Sequence, residues 1–149
     1  MSAINKREYI ALPLDLCYFD RARYDKLYAD LPTEIVSYRK YENGLMRILF
    51  STKEELKGKE ISERQHLLWI QLLEIKGKQY VKYCCDCKYF EFRQLRIAKR
   101  LFDFQEIEND LVVIIDSKSY SNNKNLFNID KHAFLALKER FKIQIQISI

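Results

Sequence analysis

The apolar residues in the first half of the chain predict strands separated by short turns. Tyr9–Leu14 reads as a first strand, closed by a proline. Two β-rich runs, Thr33–Tyr41 and Met46–Ser51, flank the dipeptide of Asn43 and Gly44. Asn-Gly between such runs is a strong hairpin signal, because a type I′ turn needs positive φ at both central residues. The pattern therefore predicts an antiparallel hairpin between these two runs.

Helical spacing of apolar residues predicts three helices. The first covers Asp20–Leu31 and ends before a proline. The second covers Ser62–Lys76, opens at a capping box and is followed by a glycine. Its apolar residues lie on nearly all sides, so we expect a central and heavily buried helix. The third begins at Asn128 or Asp130 and runs to about Phe141.

The second half of the chain predicts further strands. The aliphatic run Leu111–Ile115 is typical of a central strand that is buried on both faces. The polar, asparagine-rich stretch Ser117–Leu126 predicts a loop. Alternation and β-branched residues predict four other strands: Lys78–Cys84, Lys88–Arg93, Leu101–Ile107 and Lys142–Ile149. The stretch Gln94–Ile107 is ambiguous, because Leu95, Ala98, Leu101 and Phe102 have helical spacing, but the alternation favours a strand over Leu101–Ile107, which forms a hairpin with Leu111–Ile115.

Together these elements predict a single α+β domain over residues 1–149, with a mixed or largely antiparallel sheet packed by two or three helices. A chain of this length fits one domain and can fold without a disulfide or a metal. No stretch approaches the roughly 18 apolar residues of a spanning helix. The N-terminus has no apolar signal core. We therefore expect a cytoplasmic protein that does not engage a membrane.

The composition argues against several classes of enzyme. Three glycines and two prolines leave little material for a glycine-rich phosphate-binding loop, which needs positive φ and close backbone approach. The two histidines, His66 and His132, limit acid–base chemistry, and the sequence suggests no Ser-His or Cys-His pairing. The sequence thus favours a protein that is not an enzyme.

Cys84 and Cys87 have the C-x-x-C spacing with which two thiolates reach one zinc ion. A second pair is missing, and the other ligand types, Cys17, His66 and His132, are widely scattered. We interpret the cysteines as reduced residues that behave as small apolar side chains in and beside a strand. We therefore expect no cofactor and no metal, although metal binding by Cys84 and Cys87 stays open.

The net charge of +5 is unevenly distributed. The block Lys76–Arg100 contains eight cations and two acids, whereas Leu101–Asp116 contains five acids and no cation. Cations and aromatic rings interleave in the basic block, and such a surface can follow phosphates and stack on bases or anchor a protein interface. The residues expected to bind are Lys82, Lys88, Tyr89, Arg93, Arg96, Lys99 and Arg100. The alternative is an amphipathic strand pair whose rings point inward and whose cations face the acidic strand.

Asp116 and Lys118 follow the predicted buried strand with one residue between them, so both side chains lie on one face. Asp103 lies on the strand predicted to form a hairpin with it, and two carboxylates can hold Mg²⁺. The arrangement resembles the Asp…(Asp/Glu)-x-Lys signature of restriction-endonuclease-like nucleases. The order of helix Ser62–Lys76, three strands, helix Asn128–Phe141 and a last strand is also similar to their core. This resemblance implies nucleic-acid cleavage, with metal on Asp103 and Asp116 and with Lys118 as the catalytic lysine.

A simpler interpretation is that Asp103 and Asp116 are solvated acids at strand ends, paired with the basic block. We therefore expect a small non-enzymatic binding protein that engages a macromolecular partner. The expected partner is a protein or ribonucleoprotein complex, with RNA or single-stranded nucleic acid also open. Small size and this surface suggest an accessory or inhibitor protein of a phage or mobile element that acts on a nucleic-acid-handling complex. The alternative is the metal-dependent nuclease, which would use Mg²⁺.

Overall fold

The protein is described here from a computed structural model that covers residues 7–20, 33–56, 60–123, 127–143 and 146–148. The strands in these ranges are β1 (Glu8–Pro13), β2 (Tyr18–Asp20), β3 (Thr33–Lys40), β4 (Met46–Leu56), β5 (Glu60–Ile75), β6 (Lys78–Cys85), β7 (Gln105–Ile107), β8 (Asp110–Ile114) and β9 (Gln146–Ser148). The helical elements are a 3₁₀ turn (Leu14–Leu16), a π-helix (Tyr89–Leu95) that continues into α1 (Arg96–Leu101), α2 (Ser117–Asn123) and α3 (Lys131–Glu139).

A mixed seven-stranded sheet organises the fold, in the order β3-β4-β5-β6-β1-β8-β7. All neighbours are antiparallel except β1 and β8, which run parallel from Glu8 opposite Leu111 to Ala11 opposite Ile114. β2 and β9 form a separate parallel pair. The predicted α+β class and mixed sheet are confirmed, and strands account for more of the described residues than helices do.

The hairpin around Asn43 and Gly44 is confirmed, but the predicted type I′ turn is wrong, because only Gly44 has a positive φ and the loop extends from Tyr41 to Leu45. Gly44 has a φ of +89°, and the Asn43 carboxamide oxygen accepts a hydrogen bond from the backbone N–H of Leu45 at 3.0 Å. Gly44 thus supplies the left-handed backbone that the turn requires. β3 and β4 then pair antiparallel from Lys40 opposite Met46 to Thr33 opposite Thr52.

The predicted helix Ser62–Lys76 is wrong, because this stretch lies almost entirely in the long strand β5. β5 pairs with β4 on one side and with β6 on the other. A run that is apolar on all sides fits a strand with two covered faces as well as it fits a buried helix. The glycine that was expected to end the helix instead forms the β5–β6 turn, in which Lys76 and Gly77 have φ of +52° and +79°. Two successive positive φ values are typical of a type I′ hairpin turn.

Several other predictions change in the second half. The predicted strand Lys88–Arg93 is wrong, because this stretch enters the π-helix. Leu101–Ile107 is a strand only at β7, and Ser117–Leu126 contains α2 where a loop was expected. The strand Leu111–Ile115 is present as β8, but it lies next to the edge strand β7 and is not central.

The remaining predictions concern two strands, the helix after Asp130, the C-terminal strand and the helix predicted at Asp20–Leu31. The first predicted strand and Lys78–Cys84 are confirmed as β1 and β6. The helix after Asp130 is confirmed as α3. The C-terminal strand is present at Gln146–Ser148 and pairs with β2. The predicted helix Asp20–Leu31 lies outside the described residues, apart from Asp20, which ends β2.

One face of the sheet and the helices share the main apolar cluster. Strand residues such as Ile48, Phe50, Leu68 and Tyr83 are fully buried there, together with Phe90 of the π-helix. Further members come from α1, α2, α3 and the segment before α3: Ala98, Tyr120, Ala133, Leu137, Phe127 and Ile129. At about 1.5–3 kcal/mol for each large apolar side chain, this burial is the main source of stability.

The other face of the sheet carries a smaller apolar cluster and a buried charge. Tyr9, Tyr80 and Val112 are buried there. The Lys82 side chain, which is 3% exposed, places Nζ at 3.2 Å from Oδ2 of Asp110 and 4.6 Å from the centre of the Tyr9 ring. The prediction that Lys82 belongs to an exposed binding surface is therefore wrong, because this lysine points into the sheet packing and is neutralised there.

Candidate functional site

The candidate binding site is a basic helical segment, defined here as Lys88–Leu101. It comprises the residue before the π-helix, the π-helix itself and α1. Phe90, Gln94 and Ala98 are buried and recur every four residues, so they form the inward face of the segment. This four-residue spacing of buried positions suits a helix, whereas the alternation within Lys88–Arg93 predicted a strand.

A buried polar contact fixes the middle of the segment. The Tyr83 hydroxyl donates to the carboxamide oxygen of Gln94 at 2.6 Å, and the Gln94 amide donates to the Asn128 backbone carbonyl. Gln94 therefore links β6, the basic helical segment and the chain before α3. Buried polar groups are kept only where they are hydrogen-bonded, so this bridge sets how the segment lies on the sheet.

The outward face of the segment is strongly basic. Its exposed cations are Lys88, Arg93, Arg96, Lys99 and Arg100, and its sole acid is Glu91. Phe92 is 58% exposed, and the Arg96 guanidinium lies 5.8 Å from the centre of its ring. Lys99 Nζ lies 2.8 Å from Oε2 of Glu8. The face thus combines concentrated positive charge with one exposed aromatic ring.

Six of the seven predicted binding residues lie on this segment, and Lys82 does not. Lys88, Arg93, Arg96, Lys99 and Arg100 are exposed, whereas Tyr89 is half-buried. The structure therefore brings the predicted cations together on a helix, although strands were expected to carry them.

The residues of the predicted nuclease centre take different positions. Asp103 is exposed and lies between α1 and β7, so it is not on the strand paired with β8. Asp116 is exposed after β8, and Lys118 is exposed in the first turn of α2. The helix Ser62–Lys76, on which the similarity in element order depended, is the strand β5. The arrangement of elements therefore departs from the one that the resemblance implied.

Asp116 acts as a helix cap. Its Oδ1 accepts a hydrogen bond from the backbone N–H of Ser119 at 2.8 Å, and its carbonyl accepts one from Tyr120 at 2.8 Å. The bond from Ser119 lowers the pKa of the carboxyl below its usual value. A carboxylate in this position satisfies an otherwise unpaired N–H at the start of α2.

We expect Asp116→Ala to lower the free energy of unfolding by about 1 kcal/mol, the typical cost of removing a helix N-cap. Urea denaturation followed by circular dichroism measures this loss. The matched control is Asp103→Ala, which removes another exposed aspartate and is expected to change stability by less than about 0.5 kcal/mol. Equal effects of the two substitutions would contradict the capping role.

A second group of polar residues, the buried thiol cluster, lies beneath the start of the basic helical segment. It consists of Cys85, Cys87, Asp130 and His132, all buried. Cys85 ends β6, Cys87 precedes the helical segment, and Asp130 and His132 begin α3. The cluster therefore joins three elements at one point.

The contacts within the cluster are short. Cys85 Sγ lies 3.3 Å from His132 Nδ1, and the Cys87 thiol donates to Asp130 Oδ2 at 2.9 Å. Asp130 Oδ1 lies 3.4 Å from His132 Nδ1 and accepts the backbone N–H of His132 at 2.9 Å. Asp130 thus caps α3 and at the same time orients the imidazole and one thiol.

The electrostatics of the cluster oppose the effect of burial. Burial alone would raise the pKa of Asp130, but the hydrogen bond and charge of His132 lower it to about 2. Burial would lower the pKa of His132, but the hydrogen bond to Asp130 raises it to about 9. The hydrogen bond from Cys85 lowers the pKa of Cys87. The ionised forms of Asp130, His132 and Cys87 are therefore favoured, whereas burial raises the pKa of the Cys85 thiol well above its usual value.

A small cavity of about 180 Å³ adjoins the cluster. His66 lies at its edge, with its ring centre 4.9 Å from that of His132 and its Nδ1 3.4 Å from Asp86 Oδ1. Burial lowers the pKa of His66, and the charge of His132 adds to this effect. The cavity is lined by Thr52, Arg64, His66, Cys87, Lys88, Tyr89 and Lys131.

Cys84, which has the C-x-x-C spacing with Cys87, is not the thiol that lies beside Cys87 in the cluster. Cys84 packs in the apolar cluster on the opposite face of the sheet, and burial raises the pKa of its thiol to about 12. Residues that alternate along a strand point to opposite faces, so Cys85 is the thiol that reaches the cluster. Asp130 and His132 were missed as partners because more than 40 residues separate them from the cysteines, and only the fold brings the four together.

Comparisons of the chain with protein-family models, with curated proteins and with solved structures found no match. Within the described part of the chain, no helix has the length and apolar character needed to cross a membrane.

Proposed function

We propose that this protein is a non-enzymatic binding protein whose basic helical segment engages a negatively charged macromolecular partner. The observation that supports this most directly is the outward face of the segment, where five exposed cations and one exposed phenylalanine accompany a single acid. Such a concentration of one sign of charge speeds association with an acidic surface and orients it.

Among the described residues, the positive charge of this face is only partly neutralised. Lys99 pairs with Glu8, whereas no carboxylate of the described residues pairs with Lys88, Arg93 or Arg100. These three cations extend from the first turn of the segment to its last. They leave a row of charge available to phosphates or to the carboxylates of a partner.

The exposed ring favours one class of partner. Phe92 is exposed while Phe90 is buried and Tyr89 is half-buried, so the segment offers one exposed ring for contact. A single-strand-binding surface stacks successive bases on several rings. The face is better suited to a protein or ribonucleoprotein surface, where one aromatic anchor among cations is typical.

This proposal includes the cellular compartment and the kind of complex on which the protein acts. The protein would act in the cytoplasm as an accessory or inhibitor of a nucleic-acid-handling complex, as expected of a small protein of a phage or mobile element. The four cysteines, Cys17, Cys84, Cys85 and Cys87, are all free thiols, which suits a reducing compartment.

The test compares partner capture by the wild-type protein and by a charge-reversal variant. We expect Lys88→Glu, Arg93→Glu and Arg96→Glu together to weaken binding of the captured partner at least about tenfold, because the variant repels an acidic surface. Tagged proteins are incubated with lysate of the source cells, with and without nuclease, and bound partners are quantified by mass spectrometry. The matched control reverses three exposed lysines elsewhere, Lys40, Lys76 and Lys138, and changes the net charge equally.

Capture that survives nuclease treatment identifies a protein surface as the partner. Capture that is lost with nuclease identifies nucleic acid, and the salt dependence of its binding then counts the phosphates contacted. Unchanged capture by the variant, or an equal loss in the control, would refute the assignment of the binding face.

A further inference from the structure

We propose that Cys85, Cys87, Asp130 and His132 form a structural zinc site. Two thiol sulfurs, one imidazole nitrogen and one carboxylate oxygen all lie within 4.8 Å of one another. This inference does not depend on the proposed binding function, because it concerns a site beneath the basic face and not the face itself.

The spacing of the donor atoms fits tetrahedral coordination. Zinc binds sulfur at about 2.3 Å and nitrogen or oxygen at about 2.0–2.2 Å, so neighbouring ligand atoms in a tetrahedron lie about 3.3–3.8 Å apart. The separations of Cys85 Sγ and Asp130 Oδ1 from His132 Nδ1 are 3.3 and 3.4 Å. Cys87 Sγ and Asp130 Oδ2 are closer, at 2.9 Å, because a proton joins them in the metal-free state. The other donor atoms lie within 4.8 Å of one another, so side-chain adjustments on binding bring the wider pairs to tetrahedral spacing.

The chemical nature of the ligands selects the metal. Thiolates are soft ligands that bind zinc strongly, whereas Mg²⁺ and Ca²⁺ require oxygen ligands. Four protein ligands close the coordination sphere of zinc, and a catalytic site would leave one position open for water. All four residues are also buried. The site is therefore structural.

The surroundings hold the ligands in place without a competing partner for the imidazole. Within the described residues, His132 Nε2 is buried and has no hydrogen-bond partner, so the ring is oriented through Nδ1 alone, towards the thiols and the carboxylate. Phe50 packs against the ring with a centre-to-centre distance of 4.9 Å. On binding, Zn–S, Zn–N and Zn–O bonds form, and the protons of the thiols and of the imidazolium pass to solvent.

The consequence is a cross-link between distant parts of the chain. One ion would join the end of β6, the start of the basic helical segment and the first turn of α3. Since the chain reaches this site only when it is folded, zinc binding stabilises the native state.

The first experiment uses the wild-type protein. The metal is removed with a chelator, zinc is added back, and bound metal is counted by elemental mass spectrometry. We expect one zinc per chain and a higher melting temperature with zinc than without it. Substitution by Co²⁺ should give the visible bands of a tetrahedral site and a thiolate-to-metal charge-transfer band.

Alkylation of the thiols locates the site without a substitution. Zinc should slow the modification of Cys85 and Cys87 at least about tenfold more than that of Cys84, because the ion protects its own thiolates directly, whereas it affects Cys84 only through the stability of the fold. Peptide mass spectrometry separates the three cysteines. Equal rates with and without zinc at Cys85 and Cys87 would overturn the proposal.

Variants provide an independent test. Removing a residue that only hydrogen-bonds to a metal ligand weakens metal affinity about 10–100-fold. Removing a ligand itself should cost more, so we expect Cys87→Ser and His132→Gln each to weaken zinc affinity by at least about 100-fold. Cys84→Ser is the matched control, and its zinc affinity should equal that of the wild type. Zinc retained at full affinity by both ligand variants, or lost in the control, would show that the ion binds elsewhere.

Discussion

Replacing Phe90 with alanine is expected to lower the free energy of unfolding by about 3–5 kcal/mol, the usual cost of removing a buried aromatic ring. Phe90 is fully buried, and its ring centre lies 5.4 Å from that of Tyr83. The cavity left by the substitution lies between β6 and the basic helical segment, whose neighbours cannot close it without moving. Urea denaturation monitored by circular dichroism and by tyrosine fluorescence measures the loss.

The matched control for this substitution is Phe92→Ala, two residues further along. Phe92 is 58% exposed, and we expect its removal to change stability by less than about 0.5 kcal/mol. In a strand, residues two apart share one face, so both substitutions would have similar effects. In a helix they point in different directions. Similar losses of stability for the two variants would show that Phe90 and Phe92 share one face, as they would in the strand predicted from the sequence, and would contradict the helix.

The second large effect is expected from Asp110→Ala. This substitution removes the carboxylate beside Lys82, whose side chain is 3% exposed, and leaves an ammonium group buried without its counter-charge. Breaking a buried ion pair in this way costs about 3–5 kcal/mol. The Asp110 side chain is 24% exposed, and water can approach the site, so we expect about 3 kcal/mol. Thermal and urea denaturation both measure this loss.

A double variant separates the charge from the packing. Lys82→Met combined with Asp110→Ala removes both charges, and its stability should recover most of the loss, because an apolar side chain of similar length suits the buried position. If the double variant is as unstable as Asp110→Ala alone, the loss comes from another role of Asp110 at the start of β8. Little loss in Asp110→Ala would show that Lys82 reaches water and is not held by this carboxylate.

The parts of the fold that the sequence predicts correctly carry a local chemical signal. Gly44 supplies the left-handed backbone of its turn, the Asn43 side chain accepts the N–H of Leu45, and Asp130 caps the helix that follows it. These signals act within a few residues and do not depend on what packs above them. Tertiary context therefore had little opportunity to change the outcome.

β5 shows where local signals fail. The stretch Ser62–Ile75 begins with a capping-box sequence, which is typical of a helix start, yet Ser62 lies within the strand β5. Helix and strand compete for such an apolar run, and pairing with β4 and β6 on both sides decides in favour of the strand. The hydrogen bonds of two neighbouring strands are not visible in the spacing of residues along one segment.

The candidate sites could be predicted only in part for a similar reason. The cations of the basic helical segment are close together in sequence, so the sequence alone reveals the concentration of positive charge. The sequence nevertheless predicts a strand over Lys88–Arg93, where the structure has a helix. The buried thiol cluster depends on the side of the strand to which each cysteine points and on the meeting of β6 with α3. Cys84 has the familiar motif spacing with Cys87, but strand alternation places it on the opposite face.

The position of β1 in the sheet has a consequence for the synthesis of the chain. β1 lies between β6 and β8, and its parallel partner β8 is about 100 residues away along the chain. The ribosome makes the antiparallel strands β3 to β6 first, and they can pair as each emerges, whereas the second edge of β1 stays open until β8 is available. Pairing over such a distance is slow because a long loop must close first. A nascent chain halted before Asp110 therefore lacks the strand that covers this edge of β1, and the edge can pair with another chain.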